Sequence, residues 1–187
     1  GGDVYRYAGE DNALSADEKA GLAIFTGKGR CAACHLIGER DALLSDFRYH
    51  NTGIGWLRSQ ERAGIEVELA PGVRAHMSAA VVRSIGAAVV RSIGAAPRSD
   101  LGRFEITRDP RERWAYKTPM LRNVAATAPY MHDGSLPTLE AVVEYYDRGG
   151  TGAPGQSPLI APLHLSVTER AALVAFLKAL SGRAGTP

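Results

Sequence analysis

Cys31-Ala32-Ala33-Cys34-His35 constrains this chain more than any other stretch. It reads C-x-x-C-H, the attachment signature of a c-type haem. Cysteines three apart can each form a thioether to one vinyl group of a single porphyrin. The histidine that follows can then reach the iron as proximal ligand. These are the only two cysteines in the chain, so no third thiol competes for the role. The same residues would also suit a redox dithiol or half of a zinc site. A zinc site needs four ligands, and no second Cys/His pair stands at ligand spacing. A thioredoxin-like dithiol belongs to a βαβ unit, and no such pattern surrounds this one.

The 187 residues suffice for one domain with a substantial core, and an apolar content of 45% is that of a globular chain. The net charge of +2 is too mild to suggest nucleic acid as partner. No apolar run approaches the roughly 18 residues of a membrane helix, so no membrane span is expected. No signal peptide is visible, and Gly1-Gly2-Asp3 reads as a processed or truncated start. Haem is attached covalently outside the bacterial cytoplasm, so a periplasmic location is expected from the haem and not from an address in the sequence.

Residues 1–14 read as an N-terminal arm. Ser15-Ala16-Asp17-Glu18 is a capping box, predicting a helix to about Phe25 that Gly27 and Gly29 terminate. Lys28 and Arg30 flank the haem motif, as cations for propionates or a partner, or as solvated rim charges. Residues 36–78 show little helical periodicity and read as a long loop with one strand, Ile65-Glu66-Val67-Glu68-Leu69. His50, in the turn-rich run to Trp56, is either a propionate partner or a structural histidine. Residues 79–94 hold an exact tandem duplication of Ala79–Gly86. On a helix the second copy would point about 80° away from the first, so both cannot face one core, and an insertion in a tolerant loop is expected. Arginines at 74, 83, 91 and 98, with no acids between Pro71 and Ser99, make a local basic run. Such a run either docks an acidic partner or is simply solvated.

Residues 116–135 carry Pro, Gly and Asn at positions that indicate an ordered loop. Thr138 then opens a helix through Tyr146, closed by Gly149-Gly150. Leu139, Val142, Val143 and Tyr146 fall at i, i+3, i+4 and i+7, which puts Tyr146 on the buried face. Residues 151–165 form a Pro/Gly-rich connector. Ser166-Val167-Thr168-Glu169 is a second capping box, opening a helix with Leu173, Phe176, Leu177 and Leu180 on one side and a stop at Ser181-Gly182.

The stretches LSADEKAGLAIFTGKGRCAACH, YHNTGIG, YKTPMLRNVAATAPYMHDGSLPTLEAVVEYYDRGG and LVAFLKAL together resemble the bacterial dihaem cytochrome c peroxidase/MauG family, and within it the C-terminal haem domain. The resemblance covers most of the chain outside 57–99. It implies a mainly α, cytochrome c-like haem domain with long irregular loops and little β structure. The whole of 1–187 would then be a single domain, with 57–99 as a loop insertion. It places Cys31 and Cys34 on the thioether cysteines and His35 on the proximal ligand of one covalent haem c. In the family's peroxidases the distal ligand is a methionine fourteen residues after the histidine of the PYxHDG motif. Counted from His132, that position is Tyr146, and the MauG branch uses a tyrosine there. Met131, Met120 and His132 are the rival distal ligands, Met131 foremost. The carbonyls of Thr127 and Pro129 match positions that bind a calcium between the family's two haems.

The family carries two haems, and this chain has one C-x-x-C-H. It is therefore expected to be either a fragment of a larger protein or a monohaem relative. The expected partner is a redox protein or a second haem domain, on this or another chain. Three functions compete. The first is a six-coordinate haem domain that relays electrons in a peroxidase/MauG-type system, an oxidoreductase when paired with a second haem domain and otherwise an electron carrier. The second is a peroxidase or oxidase acting at its own haem through a displaceable distal ligand. The third is a redox sensor, which would need an output module that the sequence lacks.

Overall fold

Two capping boxes start the two helices on which the fold rests. The computed structural model describes residues 14–38, 42–60, 65–78, 81 and 100–181. In α1, Ala16–Thr26, the Ser15 hydroxyl accepts from the Glu18 amide at 3.3 Å and the Glu18 carboxylate accepts from the Ser15 amide at 2.7 Å. The last helix repeats this chemistry, with Ser166 and Glu169 at 3.2 and 2.7 Å. Each box satisfies two amides that a helix start otherwise leaves without acceptors. α1 ends at Gly27, as the sequence predicts.

Residue contacts group the chain into two compact units. The first takes residues up to Arg48, 117–150 and those from 158 on; the second takes 49–116 and 151–157. This division stands beside the single domain with a 57–99 insertion read from the sequence.

In the second unit β1, Tyr49–Asn51, pairs with β4, Ala115–Lys117. Helix α2 spans Ile54–Gln60 and α3 is a four-residue turn, Phe104–Thr107. β2, Ile65–Ala70, and β3, Val73–Met77, form an antiparallel hairpin. Leu101, Phe104 and Trp114 make a small core, with Trp56 and Tyr116 packed on it. Asn51 is the clamp of the YHNTG stretch: its side chain accepts from the Gly53 amide at 2.8 Å and donates to the Pro154 carbonyl at 3.3 Å.

Here the sequence reading needs correcting. Residues 36–78 are not a long loop with one strand, because the Ile65 strand has a partner and a helix and a further strand precede it. The overlooked signal was Pro71-Gly72. Proline presets the first turn position and Gly72, at φ +77°, takes the left-handed second one. α2 is only seven residues long, too short to establish a periodic stripe. The duplication at 79–94, apart from Val81, lies outside the described residues, as do Arg83, Arg91, Arg98 and nearly all of the N-terminal arm.

In the first unit α4, Leu139–Asp147, follows its Thr138 cap, whose hydroxyl accepts from the Ala141 amide at 3.1 Å. α5, Val167–Ala179, runs against both α1 and α4. Phe25, Phe176, Leu44 and Leu180 are essentially inaccessible at its core. Apolar positions of α1, α4 and α5 meet there, as their spacing predicts. α1 and α5 approach so closely at Gly21 that a Cβ there would lie 2.6 Å from the Phe176 Cβ and would run into the Ala172 carbonyl. Lys28, just past α1, pairs with Glu169 of α5 at 2.9 Å, and Lys178 of α5 pairs with Glu140 of α4 at 2.9 Å. The architecture is mainly helical with little β structure, and among the described residues no helix is long and apolar enough to cross a membrane.

Two outcomes follow from this packing. Gly21→Ala should lower the free energy of unfolding by roughly 1–2 kcal/mol in urea titrations, because overpacking outweighs the helix propensity that alanine gains. The Ser166 amide, and then the Lys28 ammonium, hold the Glu169 carboxyl below its ordinary range. A depressed carboxyl stabilises the fold above its unfolded pKa of about 4.3 and loses that contribution as pH falls through its folded value. The melting temperature of Glu169→Gln should therefore fall less between pH 6 and pH 3 than that of the wild type.

Candidate haem site

The C-x-x-C-H stretch leaves α1 through a left-handed residue, Arg30 at φ +52°, and coils into a short 3-10 turn, Cys31–Ala33. The amides of Cys34 and His35 both donate to the Cys31 carbonyl, at 3.2 and 2.9 Å. One turn therefore carries both thiols and the imidazole. Cys31 and Ala32 pack against the core of the first unit. Both thiols are free and half-buried. Burial, helped by the nearby Cys34, pushes the Cys31 thiol up to about 12. Burial and the Asp46 charge raise that of Cys34 as well. A thioether forms when an S–H adds across a vinyl group, and this one turn presents both thiols for it.

His35 Nδ1 lies 2.9 Å from the Leu44 carbonyl. A carbonyl only accepts, so Nδ1 carries the proton and Nε2 has the lone pair to offer a metal. Phe25 tilts against the imidazole with ring centres 6.5 Å apart, and Phe176 abuts Phe25 at 5.1 Å. The same aromatic contact that joins α1 to α5 thus borders the histidine.

Tyr146 sits in the last turn of α4 and packs, half-buried, against the core that Cys31 also joins. Burial raises its phenol above the ordinary range, and Tyr145, Cys34 and Cys31 add to the shift. Its ring meets Tyr145 edge-on, with centres 5.6 Å apart and planes at 89°. The turn beneath it is locked, because the Gly149 amide donates to the Tyr146 carbonyl at 3.0 Å. Next to it, Asp147 accepts from the Leu165 amide at 2.8 Å and from Arg170 at 2.9 Å, tying α4 to the start of α5.

The structure thus brings Cys31, Cys34, His35 and Tyr146 into one unit around one core. Met120 is 55% exposed and His132 is exposed. Met131 is half-buried at a left-handed turn position, φ +71°. Thr127 and Pro129 lie exposed in one short loop, with the Thr127 hydroxyl donating to the Val124 carbonyl at 3.0 Å. His50 belongs to β1 of the second unit. The two cations flanking the motif are engaged by protein groups, Lys28 by Glu169 and Arg30 by the Ala161 carbonyl at 3.0 Å. Sequence reasoning missed Leu44 and Asp147. Leu44 acts through a backbone carbonyl and leaves no trace in side-chain identity. Asp147 adjoins a predicted site residue, and that adjacency was the available signal.

A family model for RoxA-like cytochrome c matches residues 115–150. The cytochrome c peroxidase IdrP2 of Denitromonas iodatirespirans is 40% identical over 174 residues, 93% of this chain and 42% of that protein. The methylamine utilization protein MauG of Methylorubrum extorquens is 34% identical over 174 residues, 92% of this chain and 36% of that protein. The chain belongs to the bacterial dihaem cytochrome c peroxidase and MauG family. A solved MauG-like protein associated with microbial copper homeostasis superposes with a TM-score of 0.64 at 28% identity, over 96% of this chain and 51% of that one. The diheme peroxidase BthA from Burkholderia thailandensis shares the fold, with a TM-score of 0.55 at 20% identity. The chain spans about two fifths of the length of the curated relatives it matches. Membership in this family carries a haem c and a redox function.

The thiol pair gives this assignment a direct check. Matured with haem-attachment machinery, the wild-type chain should stain for haem after denaturing electrophoresis. The double variant Cys31→Ala/Cys34→Ala should not, because it has no sulfur left to hold the porphyrin.

Proposed function

We propose that this chain is a six-coordinate haem c domain that relays electrons to a second haem domain, with His35 and Tyr146 as axial ligands. The packing of Cys31 and Tyr146 against one core, whose Phe25 also borders His35, carries this reading. When bound, the haem supplies a one-electron couple; the protein sets where that couple rests. His35 offers Nε2 because Leu44 holds the proton on Nδ1. The phenol starts from a raised pKa, and only a neighbouring cationic centre would draw off its proton. An oxygen donor of that kind is hard and anionic. It favours ferric iron and a low potential, whereas a methionine sulfur would favour the ferrous state. A filled sixth position suits electron transfer more than substrate binding.

The partner in this reading is a redox protein or a second haem domain that faces the peroxide, on the same chain or another. Thr127 and Pro129 would offer carbonyls to a calcium shared with that domain. Covalent attachment implies export, so the proposed compartment is the periplasm.

Tyr146→Phe tests the reading directly. The ferric optical and magnetic resonance spectra should change from a six-coordinate low-spin to a high-spin signature. A near-infrared methionine-to-iron band in the wild type would replace Tyr146 by a sulfur ligand, Met131 being the first to mutate. Rapid cyanide binding by the wild-type chain would instead favour an enzyme acting at its own haem.

A further inference from the structure

The turn that holds the proximal histidine is itself held in an unusual way. Leu44, whose carbonyl meets His35 Nδ1 at 2.9 Å, is fully buried and takes a left-handed conformation, φ +53°. Phe47, three residues on, is left-handed as well, φ +55°. Few side-chain-bearing residues adopt this region unless their surroundings impose it. Between them Ser45 has no accessible surface at all. Its hydroxyl donates to the Thr118 carbonyl at 2.8 Å and accepts from the Phe47 amide at 2.9 Å. Both of its hydrogen-bonding roles are thus occupied by backbone. Thr118 answers from the other strand of the contact, its amide donating to the Arg48 carbonyl at 2.9 Å and its hydroxyl to the same carbonyl at 3.3 Å. The Leu44 amide donates to the Leu36 carbonyl at 2.9 Å, directly after His35. Arg122 reaches the Ala42 carbonyl at 3.4 Å. Residues 118–122 therefore brace the loop 42–48 at both ends.

We propose that Ser45 is a positioning residue for the proximal ligand: it pins the 44–47 turn to Thr118 and so aims the Leu44 carbonyl at His35 Nδ1. This deepens the functional reading above and rests on His35 being the iron ligand. A carbonyl aimed at Nδ1–H makes the imidazole a stronger donor, which favours ferric iron and lowers the potential. A loosened turn would weaken that bond and raise the potential. The TPMLRN stretch then has a defined task, because Thr118 and Arg122 present the groups that fix the loop.

The test compares haem-loaded wild type, Ser45→Ala and Ser45→Thr by redox titration. Ser45→Ala should raise the midpoint potential, so that at the wild-type midpoint the ferrous-to-ferric ratio grows roughly threefold or more. Ser45→Thr keeps the hydroxyl and should restore the wild-type value. An unchanged potential in Ser45→Ala, even with a lowered melting temperature, would make Ser45 a structural residue only and overturn the proposal. If Ser45→Ala does not fold, Ser45→Cys replaces it, because a thiol is a weak donor to the Thr118 carbonyl; a smaller upward shift is expected, and no shift would overturn the proposal. His35→Ala is run alongside. Unchanged haem spectra in that variant would overturn the ligand reading itself, which separates the two failures.

Discussion

The close crossing of α1 and α5 at Gly21 sets the position of everything around the proposed haem. With no Cβ in the way, the two backbones approach until Phe25 and Phe176 meet edge-on. Phe25 is also the ring that borders His35. Only four residues separate α1 from the C-x-x-C-H turn, so the place of that turn is inherited from the crossing. An ion pair at Lys28–Glu169 ties the end of α1 to α5, and one at Lys178–Glu140 ties α5 to α4. They are exposed and contribute little beside the buried aromatic contact.

From this base the site is assembled by backbone groups as much as by side chains. Leu44 orients the imidazole through its carbonyl, Ser45 and Thr118 hold that carbonyl in place, and Asp147 secures the turn under Tyr146 by accepting from the Leu165 amide. Tyr146 and Cys31 reach one core from distant parts of the chain. A haem c redox role in the peroxidase and MauG family is consistent with this economy, because loops braced by hydrogen bonds keep structural change on electron transfer small.

How much of this was legible depended on the range of the interaction. Both capping boxes and the Thr138 cap are local patterns, and the structure shows each of them. The stripe expected to end at Tyr146 holds at Leu139 and Val143, whereas Val142 and Tyr146 are half-buried and the neighbouring Tyr145 is the buried ring. The hairpin partner Val73–Met77 and the helix Ile54–Gln60 were missed, because short elements carry too few residues for a period to show. Lys28 and Arg30 looked available for a ligand, yet their partners, Glu169 and the Ala161 carbonyl, lie more than a hundred residues away.

The sequence by itself determined the attachment motif, the helix starts, the inward face of α4 and the family resemblance, since all of these reside in residue identity and short spacing. Only the tertiary structure decided that burial raises the Cys31 and Cys34 thiols, that the His35 proton sits on Nδ1, and that Tyr146 packs against the same core as Cys31. The physical reason is that burial and backbone hydrogen bonding act between segments distant in the chain. A carbonyl, which every residue carries alike, has no letter of its own in the sequence.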